Sequence, residues 1–174
     1  PISIARATYW QGRAAEAMGR NAGSYYQQAS AQGGTYYGQL ARAHTGQSGL
    51  PIANGPQGSV HHLAQRIGIQ GLATLYAADE RALALTLVND LAYSLPDAAA
   101  LDALADLTTA YGDAAATLSI AKIATQRNFP LGQHAFPLFG IPQQALSKSP
   151  IEQAFVYAIT RQESAFDPQA TSTS

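Results

Sequence analysis

The sequence predicts an all-α protein whose short helices pair and stack side by side as an α-solenoid. Three observations lead there. Alanine, the strongest helix former, accounts for about one in five of the 174 residues. Apolar residues recur at spacings of three and four, and no run shows the alternation of a strand. The helical segments are short, suit antiparallel neighbours and present small residues to one another, which favours stacked pairs over a compact four-helix bundle.

The first segment, Ser3 to Gly19, places Ile4, Ala7, Tyr9, Trp10, Ala14, Ala17 and Met18 close to a 3.6-residue period, and Gly19-Arg20-Asn21 ends it. A second helix is expected from Ala22 to Ala31, broken by Gly33-Gly34. Thr35 is suited to cap a third that runs to His44. Residues 46–59, rich in Gly and Pro, read as a long loop. Helical periodicity resumes from Val60 to Tyr76, with an interruption expected at Gly68 or Gly71. An amphipathic helix over Asp79–Tyr93 follows, carrying Leu83, Leu87, Val88 and Leu91. Pro96-Asp97 starts the next, Ala98 to Tyr111, which Gly112 stops, and Asp113 precedes another over Ala114–Thr125. The stretch 128–149, with Pro130, Pro137 and Pro142 inside it and Pro150 at its edge, reads as an extended connection. A last helix is expected from Ile151 to Gln162.

Composition removes several function classes. The length suits one domain, or one and a piece of another. Charged residues make up 12% and the net charge is −1, without the basic footprint that nucleic-acid binding needs. No stretch approaches the 18 or more apolar residues of a membrane span. The absence of cysteine excludes disulfides, thiol catalysis and Cys-ligated metals. Pro1-Ile2-Ser3-Ile4-Ala5-Arg6 lacks the charged-then-apolar pattern of an export signal and has no initiator Met, so the sequence reads as a piece of a longer chain.

Trp10-x-x-Arg13-Ala14-Ala15 followed by Tyr25-Tyr26-x-x-Ala29 resembles a degenerate tetratricopeptide repeat, in which alanine lets helices approach and aromatic rings fill the gap. No second copy follows at a fixed period.

Few side chains suggest chemistry. His61-His62 lacks a carboxylate or histidine at i+3 or i+4 and reads as a surface or helix-start pair, not a metal site. His44 and His134 stand isolated in the sequence. Tyr25-Tyr26 and Tyr36-Tyr37 offer aromatic faces to a sugar. Consecutive residues cannot share one helix face, however, so half of them are expected in the core. The run Arg161-Gln162-Glu163-Ser164-Ala165-Phe166-Asp167-Pro168 differs, because it closes an apolar helix with a carboxylate beside an aromatic residue. The pre-proline Asp167 is biased away from α geometry, which stops the helix by Phe166. A carboxyl half-buried beside an aromatic ring keeps its proton long enough to donate it.

Glu163-Ser164-x-Phe166-x-Pro168-x-Ala170-x-Ser172 resembles the opening of the catalytic motif of the soluble lytic murein transglycosylase family. Arg6-Ala7-x-Tyr9-Trp10-x-Gly12-Arg13-Ala14 and Thr35-x-Tyr37-Gly38-Gln39-Leu40-Ala41 are similar to the end of that family's superhelical region. The resemblance implies three parts: residues 1–58 as the end of the superhelix, 59–148 as a helical linker domain with its Pro-rich connection, and 149–174 as the start of a lysozyme-like domain. It implies a periplasmic protein that acts on peptidoglycan glycan strands with no cofactor and no metal. Glu163 would be the one catalytic carboxylate, Ser172 a substrate-binding residue of the cleft, and Ser164 a support for the loop. The family motif continues into Gly-Ala-x-Gly-Leu-Met-Gln, of which Ser174 stops short, so these residues alone are expected to show no activity. Two other readings stand beside this one: a non-enzymatic α-solenoid scaffold that binds a protein, and a glycan-binding module that uses its tyrosines.

Overall fold

The computed structural model describes residues 2–49, 67–147 and 150–171, and every regular element among them is helical. In chain order these are α1 (Ile2–Ala17), α2 (Gly23–Ser30), α3 (Tyr36–His44), α4 (Ile67–Ala77), α5 (Arg81–Ser94), α6 (Ala98–Ala110), α7 (Ala114–Gln126), a 3-10 turn (Gly132–Ala135), α8 (Gln143–Ser147) and α9 (Gln153–Glu163). Among the described residues no helix is long and apolar enough to cross a membrane.

Three helices start at side chains suited to the task. Thr35 Oγ1 accepts from the Gly38 amide at 3.1 Å, Asp97 Oδ1 from Ala100 at 2.8 Å, and Asp113 Oδ1 from Ala116 at 2.9 Å. Each satisfies one amide that the first turn would otherwise leave without a partner. The Pro-rich stretch is less extended than its composition suggests. The 3-10 turn and α8 form within it, because proline is tolerated at a helix start and the Pro142 carbonyl accepts from the Ala145 amide at 2.9 Å. Helix α4 as described starts at Ile67, with Gly68 in its first turn, and it runs unbroken through Gly71, one of the two positions where an interruption is expected. The tip of Leu91 of α5 rests against Gly68, where a Cβ would stand 2.8 Å from Leu91 Cδ2 and 3.7 Å from its Cγ. The rest of the helix expected from Val60, like His61 and His62, lies outside the described residues.

The chain divides into two units, Pro1–Ile52 and Ala53–Ser174. In the first, α1, α2 and α3 pack around Tyr9, Ala15, Ala22, Tyr26, Ala29 and Ala41. The buried face of α1 is Ala5, Thr8, Tyr9, Gly12 and Ala15, while Ile4, Trp10 and Met18 of the expected stripe are exposed. Small residues allow close approach, and the Tyr26 ring lies directly over Gly12. Glu16 joins all three helices: it accepts from the Tyr26 hydroxyl at 2.6 Å and sits 2.6 Å from His44 Nε2, with Arg13 Nε at 3.6 Å. The Tyr26 hydroxyl, and then His44, hold the Glu16 carboxyl below the ordinary carboxylate range. Burial, and then the bond to Glu16, push the Tyr26 hydroxyl up to about 12.

In the second unit the core gathers Leu72 of α4, Ala84, Val88 and Ala92 of α5, Leu101 and Leu104 of α6, and Ile120 and Ala124 of α7. Leu83, expected on the buried stripe of α5, is exposed; alanines on its inner face bring α7 close instead. At the α6–α7 crossing the hydroxyls of Thr108 and Thr117, both 0% exposed, meet at 2.8 Å. Asp113, the cap of α7, also accepts from the Tyr76 hydroxyl at 3.0 Å and has Arg81 Nη1 at 3.9 Å. Tyr76 stacks on Tyr111 with centroids 4.3 Å apart. Arg127 donates to the Ala92 carbonyl at 2.6 Å and the Leu95 carbonyl at 2.7 Å, closing the C-terminal end of α5.

Asp113→Ala removes a helix cap and leaves the Tyr76 hydroxyl without its acceptor. It is expected to lower unfolding free energy by about 2–4 kcal/mol in urea titrations followed by circular dichroism. The first unit is expected to be most stable at intermediate pH. The Glu16 contribution is present above the ordinary carboxyl range and is lost as pH falls through its lowered value. The Tyr26 contribution is full below tyrosine's ordinary value of about 10 and is lost as pH rises from there through about 12. Fluorescence of Trp10, the single tryptophan, reads this unit, and Glu16→Gln is expected to flatten the acid side of its stability profile.

Candidate functional site

Helix α9 ends on Glu163, and the chain leaves through a turn gathered on one carbonyl. The Thr160 carbonyl accepts from the Ser164 amide at 3.1 Å, the Ser164 hydroxyl at 3.1 Å and the Phe166 amide at 3.5 Å. The turn is then closed by the Asp167 amide, which donates to the Ser164 carbonyl at 2.9 Å. Asp167 Oδ1 accepts from the Gln169 amide at 2.8 Å, which commits that carboxylate to shaping the loop. Ser172 lies outside the described residues.

The backbone of this turn is strained. Ala165 and Phe166 both adopt left-handed geometry, with φ of 50° and 65°. Five other helices of the described chain also leave through a left-handed residue, and each uses a type that tolerates it: Gly19, Gly46, Gly112, Asn128 and Asp79. Two consecutive residues with ordinary side chains in this region cost roughly 1–3 kcal/mol each. Burial of the Phe166 side chain, worth about 1.5–3 kcal/mol, offsets much of that.

Phe166 is 7% exposed and clusters with Ala114, Leu118, Leu146 and Tyr157. Gly140 forms part of the same seat. It has φ of 89°, and a Cβ there would stand 2.6 Å from Ala114 Cβ and 3.6 Å from Phe166 Cδ1. Two further side chains tie α9 to the Pro-rich connection. The Tyr157 hydroxyl donates to the Leu138 carbonyl at 2.9 Å, and Arg161 Nε to the Ala135 carbonyl at 2.8 Å with its guanidinium 5.0 Å over the Phe136 ring.

Glu163 is exposed, where the sequence suggests a carboxyl half-buried beside Phe166. The left-handed turn sends the ring inward and leaves the carboxylate outside. Among the described residues the Glu163 side chain makes no hydrogen bond or ion pair, so the backbone sets the point from which it projects. Beside the turn lies an open groove of about 240 Å³ between α5, α7 and residues 164–167, with an apolar floor of Leu85 and Ala115 and with Ser119, Lys122 and Asp167 at its edges.

Two histidines that look isolated in the sequence have partners in the structure. His44 meets Glu16, as described above. His134 is buried, with Nε2 3.3 Å from an oxygen of each of Asp102 and Asp106. The two aspartates stand one helical turn apart on α6, which was the only signal available. Burial, and then the Asp102 charge, raise the Asp106 carboxyl, while His134 opposes them. Among the described residues no group of three or more such side chains is arranged to hold a metal ion. Of the tyrosines offered as a sugar platform, Tyr26 is buried and Tyr37 packs partly against the core, while Tyr25 and Tyr36 face outward.

Comparison with protein-family models, curated proteins and solved structures finds no match.

Ala165→Gly is expected to raise unfolding free energy by about 1 kcal/mol, because glycine enters the left-handed region freely. The same change at exposed, right-handed Ala158 of α9 is expected to lower it by about 1 kcal/mol. Urea titration of the two variants separates turn strain from helix propensity.

Proposed function

We propose that this chain is part of a periplasmic lytic transglycosylase that cleaves the bond between N-acetylmuramic acid and N-acetylglucosamine in peptidoglycan. The observation that carries the reading is the junction at Glu163. A single acidic residue closes a helix, and the motif residues that follow it, Ser164 and Phe166, lock the turn beyond. In this reading the helices of residues 1–58 are the end of a tetratricopeptide-like superhelix, residues 59–148 a linker domain, and α9 the first helix of a lysozyme-like domain. A row of apolar side chains on and before α9 supports the last assignment. Ile151, Phe155 and Ile159 are 53%, 59% and 47% exposed, as expected of a helix whose remaining domain covers it.

The mechanism needs one carboxyl group in two roles. Protonated Glu163 gives its proton to the glycosidic oxygen as the bond to the muramyl anomeric carbon breaks. The carboxylate then takes the proton of the muramyl 6-hydroxyl, whose oxygen bonds to that same carbon and closes a 1,6-anhydro ring. No water is consumed. A hydrolase of the usual kind would need a second carboxylate about 5–9.5 Å away, and Asp167 is occupied in its own turn. Ser164 holds the turn through Thr160, and Ser172 binds substrate in the cleft.

A second reading, a helical scaffold that binds a protein partner, draws on the apolar residues left on the surface of α1, where Trp10 is 54% and Met18 65% exposed.

In the complete protein, Glu163→Gln keeps the side-chain volume and removes the transferable proton. It is expected to lower the rate of peptidoglycan cleavage by about 10²-fold or more. Mass analysis of the muropeptides checks the chemistry: products one water lighter than hydrolysis products support the transglycosylase, and near-wild-type cleavage by Glu163→Gln removes Glu163 from the mechanism.

A further inference from the structure

Glu163 has no side-chain partner among the described residues, so whatever aims its carboxyl must act through the backbone. Beyond Ser164 the backbone takes the most unusual path among the described residues: consecutive left-handed conformations at Ala165 and Phe166, where the other left-handed helix exits use glycine, asparagine or aspartate. Such a conformation persists only where the surroundings over-determine it. Here the surroundings are a fitted seat. Gly140, left-handed itself, lets Ala114 come close, since a Cβ there would stand 2.6 Å from Ala114 Cβ, and it borders the Phe166 ring at ordinary contact distance. Tyr157 lies at a ring-centroid distance of 6.3 Å, and Ala114, Leu118 and Leu146 complete the seat. The Tyr157 and Arg161 bonds to residues 138 and 135 hold the helix itself against the same connection.

We propose that Phe166 is a positioning residue for Glu163: its ring, seated against Gly140 and Tyr157, holds the left-handed turn that fixes where the Glu163 carboxyl faces the glycan. The inference rests on the reading of Glu163 as the acid and base. Phe166 itself touches no substrate. Its loss frees the turn and the helix end from which Glu163 projects, which weakens proton transfer more than glycan binding.

The test uses the complete protein carrying Phe166→Ala, Phe166→Met or Glu163→Gln, with amide hydrogen exchange and steady-state cleavage of peptidoglycan as readouts. Phe166→Ala is expected to speed exchange at residues 164–167 about tenfold or more, and to lower kcat about tenfold with KM within about twofold. Phe166→Met, which refills the seat with an apolar chain, is expected to restore both to within about threefold of the parent. Phe166→Leu replaces the alanine variant if that one does not fold, with the same kcat-against-KM split expected at about threefold. A loosened turn with unchanged kcat overturns the proposal, as does a loss carried by KM or a methionine variant as impaired as alanine. Inactive Glu163→Gln beside a normal kcat in Phe166→Ala overturns the positioning role alone, whereas active Glu163→Gln overturns the acid–base reading and this role with it.

Discussion

The second unit is organised around one carboxylate. Asp113 caps α7, accepts the hydroxyl of Tyr76 from α4 and draws in Arg81 at the start of α5, so three helices are referred to a single side chain. In a chain with 12% charged residues such a contact has unusual weight. Alanine faces allow helices to approach closely but say little about their rotation, because a methyl group packs almost equally well in neighbouring orientations. Directional polar bonds supply what the methyl surfaces lack. Arg127 does the same at the far end of α5, where its guanidinium occupies two carbonyls that helix geometry leaves open.

The parts of this architecture that local chemistry dictates were legible in the sequence. Helical periodicity, the caps at Thr35, Asp97 and Asp113, and the stop at Gly112 all act within four residues, and the structure has them. What could not be read depends on which face finds a partner. The large apolar residues of α1 suggest a stripe through Ile4, Trp10 and Met18, yet the helix buries Ala5, Gly12 and Ala15, since Tyr26 brings the volume from the other side. The pairing of His134 with Asp102 and Asp106 is equally invisible, because it joins a turn in the Pro-rich connection to a helix far upstream.

The junction after α9 divides in the same way. The helix end and the carboxylate upon it follow from the charged run and from Pro168. The inward path of Phe166 does not, because an αL alanine followed by an αL phenylalanine contradicts local preference and exists only through the seat that Gly140 and α7 provide. Local and global instructions disagree at this point, and such disagreements tend to mark functional places in a fold.

The hydroxyl pair of Thr108 and Thr117 has a consequence for how α6 and α7 can meet. Each hydroxyl also reaches a carbonyl of its own helix, Thr108 that of Ala105 at 3.0 Å and Thr117 that of Asp113 at 2.9 Å, so a slide of one helix along the other would cost the cross-helix contact and leave those local bonds intact. Two oxygen atoms therefore favour one register of the hairpin by a single contact, without adding a formal charge to its interior.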